Sequence, residues 1–191
     1  MNTTIPTVRA ALKAKLKSTI QTGRIKLASG KETDFYFDGR LVSLEPEGSV
    51  LIAELFLEEI RRHPSFTAGG PVAAVGGLTS GADPLTSSVG VLAHQKNVPL
   101  RLFYVRKEAK AHGMGKRIEG PALPKGARCV ILDDVVTTGG SILVARDALR
   151  EAEAEVVGAL VVIDREEGGR EVLEKEGLRV VSLFTRRDFM G

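Results

Sequence analysis

The chain has no tryptophan, two tyrosines, three histidines and one cysteine in 191 residues. A single cysteine, Cys129, excludes an internal disulfide framework and fits a reducing compartment. No histidine–cysteine pairing has the spacing of a zinc site. No Gly-x-x-x-x-Gly-Lys-Ser/Thr run occurs, so a P-loop nucleotidase is not expected. No apolar stretch approaches the ~20 residues that span a bilayer, and residues 1–7 lack the basic-then-apolar order of a secretion signal. These absences predict a cytoplasmic protein without membrane contact. Charge of one sign is also scarce: 27 basic and 24 acidic residues leave a net charge of +3. The two signs are interspersed, so a nucleic-acid partner is not expected despite a pI of 9.1. One basic cluster stands out, at residues 106–117, and it suits a small polyanion as well as a polymer. There is no internal repeat, low-complexity tract or linker, and the length fits one domain over residues 1–191.

What is present is concentrated at residues 130–141. Val130-Ile131-Leu132 is apolar, and Asp133-Asp134-Val135-Val136-Thr137-Thr138-Gly139-Gly140-Ser141 follows. Continuous β-branched runs mark strands buried on both faces, and ligands of open α/β sheets bind beyond the carboxyl ends of such strands. A Thr/Gly/Ser loop that opens a helix aims N–H groups and hydroxyls at an anion, where the helix N-terminus adds partial positive charge. Two carboxylates do not suit a phosphate. They suit ribose hydroxyls, or a metal shared with the sugar, so the pattern points to a phosphorylated sugar.

Along the chain, Pro6 starts a helix with Val8, Ala11, Leu12, Leu16 and Ile20 at helical spacing. Residues 34–42 read as two strand pieces around an Asp38-Gly39 turn. Residues 47–62 form an amphipathic helix carrying Val50, Leu51, Leu55, Phe56 and Ile60. Strands at 72–76, 101–105, 129–132, 156–163 and 178–184 then alternate with helices at 82–96, 141–153 and 169–176. Such alternation predicts an α/β protein whose mostly parallel central sheet is flanked by helices. The polar stretch 106–126 is long for a structureless loop, which marks it as functional.

Several of these residues together resemble a known family. Residues 130–141 are similar to the phosphoribosyl-pyrophosphate (PRPP) signature of type I phosphoribosyltransferases. Arg106-Lys107-Glu108-Ala109-Lys110-Ala111-His112-Gly113 resembles the catalytic loop of the orotate branch. Lys26, Ser29-Gly30-Lys31 and Phe35-Tyr36-Phe37-Asp38 resemble its base-binding segment, and Asp164-Arg165 the place where that branch sets an arginine on orotate. The matches run in family order from about residue 23 to 188.

The resemblance implies a type I phosphoribosyltransferase-like fold, with a small N-terminal hood at residues 1–45 and an α/β core at 46–191. It implies transfer of phosphoribose from PRPP to orotate in pyrimidine (UMP) biosynthesis, Mg²⁺ held mainly by PRPP with no direct protein ligand, and a homodimer sharing its sites. Catalysis falls to Lys110, His112, Asp133 and Asp134. PRPP falls to Arg106, Lys107, Lys110, His112 and residues 133–141. Orotate falls to Lys26, Tyr36, Phe37, Thr137 and Arg165. Strand alternation places Phe35 and Phe37 on one face and Tyr36 on the other, whereas the resemblance pairs Tyr36 with Phe37 at the base. Ser80, in Gly76-Gly77-Leu78-Thr79-Ser80-Gly81-Ala82-Asp83-Pro84, stands where many relatives carry lysine.

Read singly, each motif has a plainer meaning. The acid pair can cap a helix, Ser141 can be an ordinary N-cap, residues 106–117 can be a solvated face, and the aromatic triplet can be hairpin core. Two other functions compete with the leading one. A purine transferase would have no need of Arg165, and purine branches usually lack the Lys-Glu-Ala-Lys-x-His-Gly loop. A PRPP-sensing regulator would need a nucleic-acid-reading face.

Overall fold

The computed structural model describes residues 4–26, 30, 32–108 and 117–190. Helix α1 (Ile5–Thr19) opens with a proline in its first turn and buries Val8, Leu12 and Leu16. Strands β1 (Gln21–Lys26) and β2 (Glu32–Tyr36) pair antiparallel, with Gln21 opposite Tyr36 and Lys26 opposite Glu32. A single helical turn, α2 (Arg40–Ser43), follows. Helix α3 (Pro46–Arg62) is capped by the Glu45 carboxylate, which accepts from the Glu47 and Gly48 N–H groups, and a short α4 (Pro64–Thr67) comes next.

The core then alternates: β3 (Ala74–Leu78), α5 (Asp83–Gln95), β4 (Arg101–Val105), β5 (Ile118–Glu119), β6 (Arg128–Val136), α6 (Gly140–Glu151), β7 (Glu155–Asp164), α7 (Gly169–Lys175) and β8 (Val180–Thr185). A 3₁₀ turn at Arg186–Asp188 closes the series. The six-stranded sheet has the order β5-β4-β3-β6-β7-β8. It is parallel except for the short β5.

Side-chain alternation along the strands sorts the core into two layers. Val130, Leu132, Leu160 and Val162 pack with α1, α3 and α5. Cys129, Ile131, Ala159 and Val161 pack with α6 and α7. Cys129 is core, as its position before the strand implies; burial, with a contribution from Glu155, pushes its thiol up to about 12, which leaves it unreactive. The chain leaves β3 for β4 on one side and returns to β6 on the other. The strand order therefore reverses between β3 and β6, where open α/β sheets form their ligand crevice.

The expected elements are found, and α4 and β5, the latter inside the stretch 106–126 read as a loop, are added to them; four further differences stand out. The second strand piece of 34–42 is the helical turn α2, because the Asp38 carboxylate accepts from the Arg40 N–H at 3.1 Å and starts a helix instead of a hairpin. Strand β1 had no counterpart in the expectation. Val50 is 57% exposed, and Ile52 and Ala53 take the buried face of α3. Finally, β6 does not stop at Leu132 but runs through both aspartates to Val136. No helix is long and apolar enough to cross a membrane among the described residues.

Candidate active site

The site is built on the carboxyl end of β6. Pairing with β7 continues through Asp133 and on to Val136, so the acids stand on a fixed strand rather than on a loop. The Asp134 N–H donates to the Asp133 carboxylate at 3.0 Å. A Cβ placed on Gly81 would lie 3.1 Å from Asp133 Oδ1 and 3.7 Å from Asp134 Oδ1, so both carboxylates converge on the loop that follows β3. From the other side Gly39 lies against Asp134. Burial pushes the Asp133 carboxyl up to about 8, and the neighbouring Asp134 charge adds to it. Asp134 is raised as well, by burial first. Two half-buried carboxylates that resist joint ionisation make a site that gains from a cation or from hydroxyl donors.

Beyond the acids, Val135, Val136, Thr137, Thr138, Gly139, Gly140 and Ser141 form a small cup that also includes Asp133 and Ile142. Gly139 has φ +83, a left-handed conformation that turns the chain from strand into helix at the end of the three residues 137–139. The first turn of α6 carries no acidic residue, so its N-terminus is suited to an anion. Ser141 lies in that first turn. The α6 N-cap is Gly139, not Ser141, which leaves the serine hydroxyl outside the capping role.

The β3–α5 loop faces this cup across the crevice. Thr79 N–H is tied to the Val105 carbonyl at 2.9 Å, which hangs the loop between β3 and β4, and the Thr79–Ser80 peptide is cis. Ser80 is exposed and brings no charge. Asp83 begins α5, and burial raises its carboxyl above the ordinary range.

The base-binding candidates divide. Phe35 is fully buried and Phe37 is 6% exposed; both belong to the core beside α1 and α3. Tyr36, on the opposite face, is half-buried. The strand alternation thus holds, and Phe37, expected at the base, keeps little ring surface for a ligand. Lys26 ends β1 and is exposed. Arg165 follows β7 directly, with its N–H bonded to the Val136 carbonyl at 3.1 Å, which sets it beside the phosphate-type loop. Its guanidinium reaches back to β2 and donates to the Phe35 carbonyl at 3.1 Å and to Thr33 Oγ1 at 3.3 Å. Arg106 and Lys107 emerge from the end of β4 and are exposed; Lys110 and His112 lie outside the described residues.

Sequence reading passed over Gly39, Arg40 and Gly81. Arg40 forks onto Asp38 at 2.9 Å through both Nε and Nη2. That pairing holds its guanidinium charge strongly, with smaller contributions from Tyr36 and Asp134, so Arg40 stands between Tyr36 and the acids. The signal available was the Asp38-Gly39-Arg40 sequence directly after the aromatic triplet. Among the described residues no group of three or more His, Cys, Asp or Glu forms a metal cage.

A family model for the phosphoribosyl transferase domain matches residues 47–183. The orotate phosphoribosyltransferase of Rhodopirellula baltica is 44% identical over 170 residues, covering 89% of this chain and 87% of the relative. The chain belongs to the orotate phosphoribosyltransferase family. Orotate phosphoribosyltransferase of Mycobacterium tuberculosis H37Rv, solved in complex with Fe(III) dicitrate, is similar with a TM-score of 0.77 and 38% identity, with 95% of this chain and 98% of that one covered. Its complex with 5-phospho-α-D-ribosyl 1-diphosphate gives 0.75 and 34%, with 96% and 99% covered. The six-stranded sheet with helices on both faces and the crevice between β3 and β6 are the type I phosphoribosyltransferase fold of this family.

Proposed function

We propose that the chain transfers phosphoribose from PRPP to orotate, giving orotidine 5′-phosphate and pyrophosphate, as a step of pyrimidine biosynthesis. The observation that carries this reading is the paired carboxylate of Asp133 and Asp134 directly before the glycine-turned loop of residues 137–141, at the point where the strand order reverses.

In this reading the cup at residues 135–141 receives the 5′-phosphate through backbone N–H groups and hydroxyls. Asp133 and Asp134 hold the ribose hydroxyls and stabilise the cationic ring as the bond to pyrophosphate lengthens. The raised acid pair suits that task, because developing positive charge beside it favours its ionised form. The loop at residues 79–83 faces the departing pyrophosphate. Arg106, Lys107, Lys110 and His112 supply positive charge to it, the last three from the neighbouring subunit of a homodimer. Tyr36, Phe37, Lys26, Thr137 and Arg165 hold the base, with Tyr36 the more available ring.

The oxygen-only donor set of the acid pair fits Mg²⁺ carried on the oxygens of PRPP better than a protein-caged ion. When bound, the ion neutralises charge on the pyrophosphate. Residues 1–191 act as one catalytic domain of a cytoplasmic enzyme. The reading is tested by following orotate ultraviolet absorbance on mixing purified protein with PRPP and Mg²⁺. Donor- and metal-dependent loss of absorbance is expected, and an unchanged spectrum with folded, dimeric protein would refute it.

A further inference from the structure

Among the described residues, Arg165 is the most crowded cation of the site. Its side chain is 13% exposed. One nitrogen, Nη2, meets three acceptors: Glu167 Oε1 at 2.6 Å, the Phe35 carbonyl at 3.1 Å and Thr33 Oγ1 at 3.3 Å. A guanidinium Nη carries two hydrogens; they serve the Phe35 carbonyl and Thr33 Oγ1, and Glu167 is the remaining acceptor, met as an ion pair.

The three acceptors are not equally fixed. The Phe35 carbonyl belongs to the β2 backbone, and Thr33 Oγ1 is itself bonded to that carbonyl at 3.0 Å. Glu167 sits instead on the short turn between β7 and α7, flanked by Glu166 at φ +55 and Gly168 at φ +90, and its side chain is 35% exposed. It is the acceptor that can leave by a side-chain rotation. It is also the only one of the three that carries charge. A nearly buried guanidinium is stable beside such a countercharge. A second carboxylate cannot join the same corner without like-charge repulsion.

We propose that Glu167 is a resident counter-carboxylate, occupying the corner of Arg165 until the carboxylate of the incoming base displaces it, and so sets how tightly the base is held. The inference rests on the proposed role of Arg165 in holding the base, and takes the carboxylate of that base as the group its guanidinium meets. Glu167 acts through Arg165 and is a positioning residue. The exchange keeps the guanidinium neutralised in both states, so the site releases an anionic product more readily than a bare arginine would.

The test compares Glu167→Gln with Arg165→Gln. Glutamine keeps the size and an acceptor of Glu167 and removes its charge. In Glu167→Gln the orotate KM is expected to fall about two- to fivefold, the worth of a half-exposed ion pair. The KM for PRPP and inhibition by uracil, a base without the carboxylate, should stay unchanged. Arg165→Gln should raise the orotate KM. A merely structural ion pair would give the opposite sign, a higher KM on its loss, and Glu167→Ala should repeat the fall if the charge is what matters. An orotate KM unchanged or raised in Glu167→Gln, with the expected rise in Arg165→Gln, overturns the role of Glu167 alone. No rise in Arg165→Gln overturns the reading of Arg165 and the inference with it.

Discussion

Gly39 lies against Asp134 so closely that a Cβ on the glycine would stand 2.3 Å from Asp134 Oδ2 and 2.7 Å from its Cβ. The turn before α2 and the acid pair therefore meet at a position where any side chain displaces a carboxylate. Gly39→Ala should push Asp134 off its place and lower kcat/KM by about 100-fold, the scale of a misplacement near 1 Å. The fold should survive, with a loss of about 1–3 kcal/mol from overpacking. Steady-state kinetics beside a urea titration separates the two effects, and parent-like kcat/KM would remove the contact from the argument.

Asp133 links activity to stability. Its carboxyl is raised from 3.8 to about 8 by burial and by Asp134. Between these values the folded chain holds a proton that the unfolded chain has lost. Stability is therefore greatest in acid below the unfolded value and declines as pH rises through the folded one. Asp133→Asn keeps the neutral form at every pH. Its gain over the parent should be negligible near pH 4 and amount to several degrees in Tm near pH 8, together with a large loss of turnover. Melting curves across that range decide it; a constant offset at all pH values would contradict the ionisation argument.

Much of this was legible from residue order. The apolar run before Asp133 and the Thr-Thr-Gly-Gly-Ser loop after Asp134 announce a buried strand and an anion site, because burial and left-handed turns each demand particular residue types. Strand β1 was not legible. Gln21-Thr22-Gly23-Arg24-Ile25-Lys26 is exposed at every position but Ile25 and has no apolar period; it is a strand through pairing with β2, which is a tertiary fact. Leu41 and Val42 looked like strand residues, but the bond from the Arg40 N–H to the Asp38 carboxylate overrides their preference. The tie from Arg165 to the Phe35 carbonyl spans 130 positions and leaves no local trace.

That tie predicts a dynamic effect. The β1–β2 hairpin has mostly exposed residues, and the Arg165 bonds to Phe35 and Thr33 fasten it to the core from the end of β7. Arg165→Ala should speed amide exchange across residues 21–26 and 32–36 by about tenfold or more, as for any local opening relieved of its anchor, and leave β7 protected. Hydrogen-exchange mass spectrometry reads both segments at once. Equal protection in parent and variant would show that Phe35 burial and the Arg186–Asp34 pair hold the hairpin without the Arg165 tie.

The proposed sharing of the site makes a sharper claim, because it predicts activity from two inactive proteins. If the basic loop serves the neighbouring subunit, a hybrid of Lys110→Ala and Asp134→Ala chains concentrates both lesions in one site and leaves the other intact. If the loop serves its own subunit, each hybrid site keeps one lesion. Random reassortment of equal amounts should then restore about a quarter of the parent activity in the first case and nothing in the second. Native mass spectrometry must confirm that hybrids have formed, since failure to exchange also gives no signal. With hybrids present, absence of recovery assigns Lys110 to the site of its own chain and withdraws the shared arrangement.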